Sequence, residues 1–245
     1  MAPRLYVPPS QLPQGSHMLR ISGQAHRHIV RVLRLSRGQS LVLFNGQGEE
    51  IEASLVRVEE EFAELALGTR RQCPTAPVHI VLVQAVAKGD RMDWLLQKTT
   101  ELGVAEIWPV ITSRVVVRLD AAAAMAKQAR WQKIVQEAAR QCGRADVPVV
   151  AEPRALGAAL AALETSRRFV LWEGEKGQPL LNSLLPSESN VTLLVGPEGG
   201  LSEQEVLQAT GAQFVPVTLG PRILRTETAA MVAVALVQAV TGGLA

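Results

Sequence analysis

Two glycine-containing segments near the end of this 245-residue chain carry residue types and spacings suited to chemistry. The apolar run Val191 to Val195 leads straight into Gly196-Pro197-Glu198-Gly199-Gly200. Ser202 and Glu205 then have the spacing of a capping box that opens a helix. In an open parallel sheet, a glycine turn at the carboxyl end of a strand is where ligands bind, because backbone approaches the ligand without Cβ hindrance. A tight strand-to-helix turn with no ligand accounts for the same residues equally well.

The second segment is Leu219-Gly220-Pro221-Arg222-Ile223-Leu224-Arg225-Thr226-Glu227-Thr228-Ala229, between an apolar strand and the last helix. Thr226 is expected to cap that helix and Glu227 to complement its dipole. Neither role explains Arg225. A positive charge at a helix N-terminus opposes the dipole and is better explained by an anionic ligand, a substrate or a carboxylate partner.

Other chemistries lose their usual support. GxGxxG and GxxxxGK[ST] are both absent, which removes the dinucleotide fingerprint and the phosphate loop. Cys73 and Cys142 stand alone, without a CxxC pair or a histidine at ligand spacing, so neither a disulfide framework nor a zinc site is expected. His26 and His28 lack a third ligand and are read as part of a domain surface; His79, at the start of an apolar strand, is read as structural. Trp94, Trp108, Trp131 and Trp172 are scattered, which suits a core or a subunit interface better than a stacking platform.

The elements that position these segments follow from pattern. Residues 1 to 69 read as short strands at Leu5 to Val7, Met18 to Ile21, Ser40 to Phe44, Glu50 to Val58 and Phe62 to Leu67, with a hairpin signal at Asn45-Gly46. One helix, Gln24 to Leu35, places Ala25, Ile29, Val32 and Leu33 on one face and Arg27, Arg31 and Arg34 on the other. Residues 70 to 77, with two prolines and no apolar period, suit a linker. Beyond them strands alternate with helices. Strands are expected at Val78 to Val83, Glu106 to Ile111, Arg168 to Trp172, Val191 to Val195 and Phe214 to Val217. Helices are expected at Asp90 to Leu102, Ala121 to Gln141, Ala155 to Leu163, Glu203 to Thr210 and Thr226 to Ala239. This alternation predicts a parallel sheet covered on both faces.

Composition bounds the partners. At 47% hydrophobic residues the chain has ample material for a core, and at 4% aromatic residues it has little for a stacking surface. The net charge of +2 is uninformative, but its distribution is not. Arg20, Arg27, Arg31, Arg34 and Arg37 fall in a stretch with no acid, whereas the acids of the first 75 residues all lie between Glu49 and Glu64. That segregation favours a nucleic-acid contact. The longest apolar stretch, Ala229 to Val240, is too short to span a bilayer, and a cytoplasmic protein without a membrane partner is expected.

The residues also resemble a known family. GPEGGLSEQE from Gly196 and LGPRILRTETAA from Leu219 are similar to the RsmE-type members of the SPOUT methyltransferases, which methylate a uridine of small-subunit ribosomal RNA at N3. Further matching stretches are His28 to Arg34, Gln97 to Val104, and Gln141-Cys142-Gly143-Arg144 followed by Val147-Pro148; Trp172 to Ser189 carries no family motif.

The resemblance implies an α/β protein with two domains. Residues 1–70 would form a PUA-like RNA-binding β-barrel, and 77–245 a SPOUT domain with a C-terminal trefoil knot, working as a homodimer. S-adenosylmethionine would lie against Leu171, Gly196, Glu198, Gly199, Gly200, Leu219, Gly220, Ile223 and Leu224, held largely by backbone groups. Arg225 would stabilise charge on the uracil, and Glu198 or Glu227 would accept the N3 proton. Arg27, Arg31 and Arg34, with Arg140 and Arg144, would contact RNA phosphates. The alternatives are a non-catalytic ribosome-associated RNA-binding protein of the same fold and a small-molecule enzyme using the glycine turn for a nucleotide.

Overall fold

The computed structural model describes residues 2–13, 15–74, 76–115, 121–164, 166–174 and 177–244, except that nothing is said of the Ala121 side chain. Two compact units emerge. The first comprises Met1–Thr75 with Ala139–Val147, and the second Ala76–Ala138 with Pro148–Ala245.

The first unit holds β1 (Arg4–Tyr6), β2 (Met18–Ser22), α1 (Gly23–Arg27), β3 (Ser40–Phe44), β4 (Glu49–Val58) and β5 (Phe62–Gln72), the strands ordered β1-β3-β4-β5-β2. β1 runs parallel to β3 and the other pairings are antiparallel. Alternating apolar residues such as Leu41, Leu43, Ile51, Leu55 and Leu65 close over a core that includes Ile29.

Sequence and structure differ here in three places. β5 runs on through Gln72, so the expected linker does not begin at Arg70. Cross-strand ion pairs, Arg70 to Glu49 at 3.3 Å and Arg71 to Glu50, hold a polar strand end that has no apolar alternation to announce it. Second, α1 does not continue as an α-helix but becomes a π-helix over His28–Val32. The wider turn shifts the phase, so Ile29 stays buried while Val32, expected inside, is 63% exposed. Third, His26 is buried rather than on the surface, with a ring nitrogen 3.0 Å from the Glu59 carbonyl.

The turn between β3 and β4 needs Gly46, at φ +79°, where a Cβ would meet the Tyr6 ring at 2.9 Å. Asn45 Oδ1 accepts from the amides of Gln47 and Glu49. On this turn sits the strip 145–147: the Gly48 amide donates to Ala145 O at 3.2 Å, and the Val147 amide to Gly46 O at 3.0 Å. Nearby, the buried Arg4 pairs with the buried Glu50 at 2.7 Å and donates to Arg144 O at 2.9 Å. Burial pushes the Glu50 carboxyl up, but Arg71 and Arg4 outweigh it and hold it below the usual carboxylate range.

The second unit contains β6 (His79–Ala85), α2 (Asp90–Glu101), β7 (Glu106–Ile111), most of α3 (Ala121–Cys142), β8 (Val149–Val150), β9 (Arg154–Ala155), α4 (Leu156–Ala161), β10 (Arg167–Leu171), β11 (Gln178–Pro179), α5 (Leu180–Ser183), β12 (Asn190–Val195), α6 (Glu203–Gly211), β13 (Val215–Thr218) and α7 (Thr226–Thr241). Its sheet is parallel, ordered β11-β13-β10-β12-β6-β7-β8, with β9 also beside β7. β12 and β6 lie at its centre, and their near-continuous apolar runs are what a strand covered on both faces requires. α4 and α6 pack on one face through Leu156, Leu160, Val206 and Ala209. The other face meets α7, whose Ala230, Ala233, Val234 and Val237 are fully buried. Among the described residues no helix is long and apolar enough to cross a membrane.

Candidate active site

Parallel strands send all their carboxyl ends to one edge, so the loops that follow them converge. The loops after β7, β10, β12 and β13, with Arg91 in the first turn of α2, together line a cavity of about 700 Å³. It is bounded by Leu171, by the whole of Gly196 to Leu201 and by the whole of Val217 to Thr226.

The loop after β12 is held from several sides. The Gly200 amide closes the turn onto Pro197 O at 2.9 Å, with Gly200 at φ +69°. Ser202 caps α6, and the box is complete: the Glu205 amide donates to Ser202 Oγ at 3.3 Å and the Ser202 amide to Glu205 Oε2 at 2.8 Å. Glu205 Oε1 also accepts from the Ser113 amide at 2.6 Å. Arg114 donates to Gly199 O at 2.7 Å. Glu198 accepts from the Lys88 amide and from Arg91, each at 2.9 Å. Burial raises the Glu198 carboxyl, but the Lys88 amide, its own backbone amide and Arg91 outweigh that and hold it below its ordinary value. Gly196 sits in tight quarters, since a Cβ there would lie 3.1 Å from Leu201 N, backbone of the same turn.

The loop after β13 is different in kind. Gly220 turns it at φ +99°, and Pro221, Arg222 and Ile223 stand exposed, Ile223 to 79%. Arg225 occupies the N-cap of α7 and is exposed, and among the described residues its guanidinium has no hydrogen-bond or ionic partner. Thr226 is not the cap that the sequence suggested. It is the first residue of the helix, buried, and its hydroxyl donates to Gly196 O at 2.6 Å. A sequence cannot distinguish the N-cap from the next position when both neighbours are polar.

Leu171, Gly196, Glu198, Gly199, Gly200, Leu219, Gly220, Ile223, Leu224 and Arg225 all line this one cavity. Glu227 does not; it is buried in the first turn of α7, and its Oε2 has no partner among the described residues. Arg91, Arg114 and Trp172, which also line the cavity, were not anticipated. A signal for them existed: Arg91 lies shortly after β6, Arg114 after β7 and Trp172 directly after β10, all at carboxyl ends.

In the first unit, Arg27, Arg31 and Arg34 are all exposed. Arg140 is half-buried. Arg144 is engaged within the unit: its Nε lies 3.2 Å from Asp146, with which it forms an ion pair, and its side chain is 15% exposed. Its charge is therefore spent internally, which a count of basic residues does not reveal.

The chain matches the model for an RNA methyltransferase domain over residues 74–238 and that for an RNA methyltransferase PUA domain over 21–67. It is 33% identical over 225 residues to the ribosomal RNA small subunit methyltransferase E of Bacillus subtilis, covering 89% of this chain and 88% of the relative. A crystal structure of a ribosomal RNA small subunit methyltransferase E from Neisseria gonorrhoeae, bound to S-adenosylmethionine, aligns with a TM-score of 0.89 at 37% identity over 97% of both chains. A methyltransferase from Legionella pneumophila in complex with the same cofactor aligns at 0.90, with 34% identity over 98% of both. These likenesses extend over both units, and the chain belongs to the ribosomal RNA small subunit methyltransferase E family, with a PUA-like domain and a parallel-sheet methyltransferase domain.

Proposed function

We propose that the chain transfers a methyl group from S-adenosylmethionine to N3 of a uridine in small-subunit ribosomal RNA. The observation that carries this reading is the convergence of the glycine loop and Arg225 on a single cavity. Its volume suits a small-molecule cofactor, for which sites span roughly 300–1,000 Å³. A rim of backbone and aliphatic residues fits an adenosyl group, and Gly196, where a Cβ would press on the turn, fits a close backbone approach. Leu171, Gly196, Gly199, Gly200, Leu219, Gly220, Ile223 and Leu224 hold the cofactor. Bound there, it supplies an electrophilic sulfonium methyl group.

The protein's task is to orient the base and favour its N3 anion. Arg225, exposed and without a partner among the described residues, stabilises the negative charge on O2 or O4 once the imide proton leaves. Glu198, already engaged by Lys88 N and Arg91 and held below its ordinary carboxylate value, is a poor proton acceptor and serves to fix its loop. Glu227 lies outside the cavity lining and offsets the positive end of α7. The proton leaves to solvent.

We assign RNA binding to residues 1–70, through Arg27, Arg31 and Arg34, with Arg140 at the margin, and catalysis to 77–245. A C-terminal trefoil knot, a homodimer and a cytoplasmic location complete the reading, supported by the resemblance of both glycine segments to SPOUT enzymes. The substrate is RNA within an assembled or late-assembling small subunit. The test is incubation with labelled donor and either undermodified small subunits or protein-free RNA, followed by digestion and mass mapping. Label at uridine N3 is expected, stronger with subunits. Calorimetry that detected ATP but neither S-adenosylmethionine nor S-adenosylhomocysteine would sink the proposal.

A further inference from the structure

Gln84 is a fully buried amide in β6, flanked along the chain by the buried Leu82, Val83, Ala85 and, just past the strand, Val86. An apolar residue of similar size would pack there without the cost of desolvating an amide. That cost is only partly recovered, since no donor reaches Gln84 Oε1 among the described residues. The Nε2 group, by contrast, makes two hydrogen bonds. It donates to Ala85 O at 2.9 Å and to Thr226 Oγ1 at 3.0 Å. Thr226 Oγ1 donates onward to Gly196 O at 2.6 Å.

Chemistry fixes the direction of this chain. Both of its ends are carbonyls, which only accept. The single hydroxyl proton of Thr226 therefore goes to Gly196, and its lone pair must face the Gln84 nitrogen. Gln84 pairs with Val195 across the β6–β12 ladder, one residue before the glycine loop, and Thr226 directly follows Arg225. The relay thus joins the stem of one cavity loop to the end of the other from a point outside the cavity lining.

We propose that Gln84 is a positioning residue that sets, through Thr226, the spacing between the glycine loop and Arg225, and so between the methyl donor and the target base. This rests on the reading of the cavity as the methyl-donor site. Methyl transfer demands close alignment of the reacting atoms, so a loosened relay costs turnover more than it costs cofactor binding.

The experiment uses the full chain with Gln84→Met, Thr226→Val, Thr226→Ser and the Gln84→Met/Thr226→Val double variant. It measures kcat and KM for RNA, S-adenosylhomocysteine affinity by calorimetry, and hydrogen exchange of the 196–200 amides. Gln84→Met and Thr226→Val should each lower kcat about tenfold, with affinity for the adenosyl compound changed less than about threefold. The double variant should be little worse than either single one, because both remove the same unit. Thr226→Ser should recover most of the Thr226→Val loss, and exchange at 196–200 should quicken in Gln84→Met. A kcat within about twofold of the wild type in Gln84→Met, fully additive losses, or no recovery with serine would each overturn the proposal. If Gln84→Met does not fold, the Thr226 pair decides alone. A wild-type chain that binds no adenosyl compound would defeat the donor-site reading. Hydrogen exchange would still judge the relay, with unchanged exchange at 196–200 counting against it.

Discussion

The two loops that face each other across the cavity are built on opposite plans. Gly196 to Gly200 is tied down by Lys88, Arg91, Arg114 and Thr226, and the helix that follows it is capped and anchored to Ser113. Leu219 to Arg225 presents Arg222, Ile223 and Arg225 to solvent. The difference separates two jobs. A cofactor of constant shape is best met by a preorganised cradle, whereas a large RNA has to reach its contacts from outside.

The sharpest way to break this contrast is at Arg225. Arg225→Ala should lower kcat by about 100-fold, the scale of losing one transition-state charge stabiliser, with S-adenosylhomocysteine affinity nearly unchanged in calorimetry. Equal losses in both would merge the two jobs into one. Next comes the cradle. Gly196→Ala, which presses a Cβ on backbone 3.1 Å away, should weaken S-adenosylhomocysteine binding about tenfold. Undiminished affinity would mean that the turn is less rigid than its bonds imply.

Smaller effects are expected from the loop's outer tie. Glu198→Gln should weaken cofactor binding a few-fold, by about the value of one charge-assisted bond in partly exposed surroundings. The pH dependence has a definite sign. The folded Glu198 is more acidic than the free side chain, so its contribution is complete above the ordinary carboxylate value of about 4.3 and is lost only as pH falls through its lower, folded value. Wild-type affinity measured in a pH series should therefore stay flat from neutrality down to that region. A decline beginning nearer neutrality would rule Glu198 out as its source. The least effect belongs to Ile223→Ala. At 79% exposed, this side chain should change cofactor affinity by no more than about threefold, despite lining the cavity.

Much of this site is legible in the chain itself. Gly196 and Gly200 announce a backbone turn after a strand, and Arg225 stands out because its charge is wrong for a helix start. What is hidden has identifiable physical causes. Arg91 and Arg114 join the cavity only because β6 lies next to β12, and β7 next to β6, in the sheet, and strand order does not follow chain order. Thr226 reads as a cap until three-dimensional contact gives its proton to Gly196. In the first unit the expected α-helical face loses Val32 to the wider π turn, and the end of β5 is held by ion pairs that no apolar rhythm marks.

The strip 145–147 on the Gly46 turn bears on how the molecule comes into being. The sheet of the first unit is encoded before residue 73, yet the carbonyls that receive Arg4 and the Gly48 amide arrive only with Arg144 and Ala145. On a translating ribosome the first unit must wait, incomplete, while α3 is made. A fragment cut in the interdomain segment should consequently be less stable than the same unit in the whole chain, and adding a peptide spanning 139–147 should restore part of the difference.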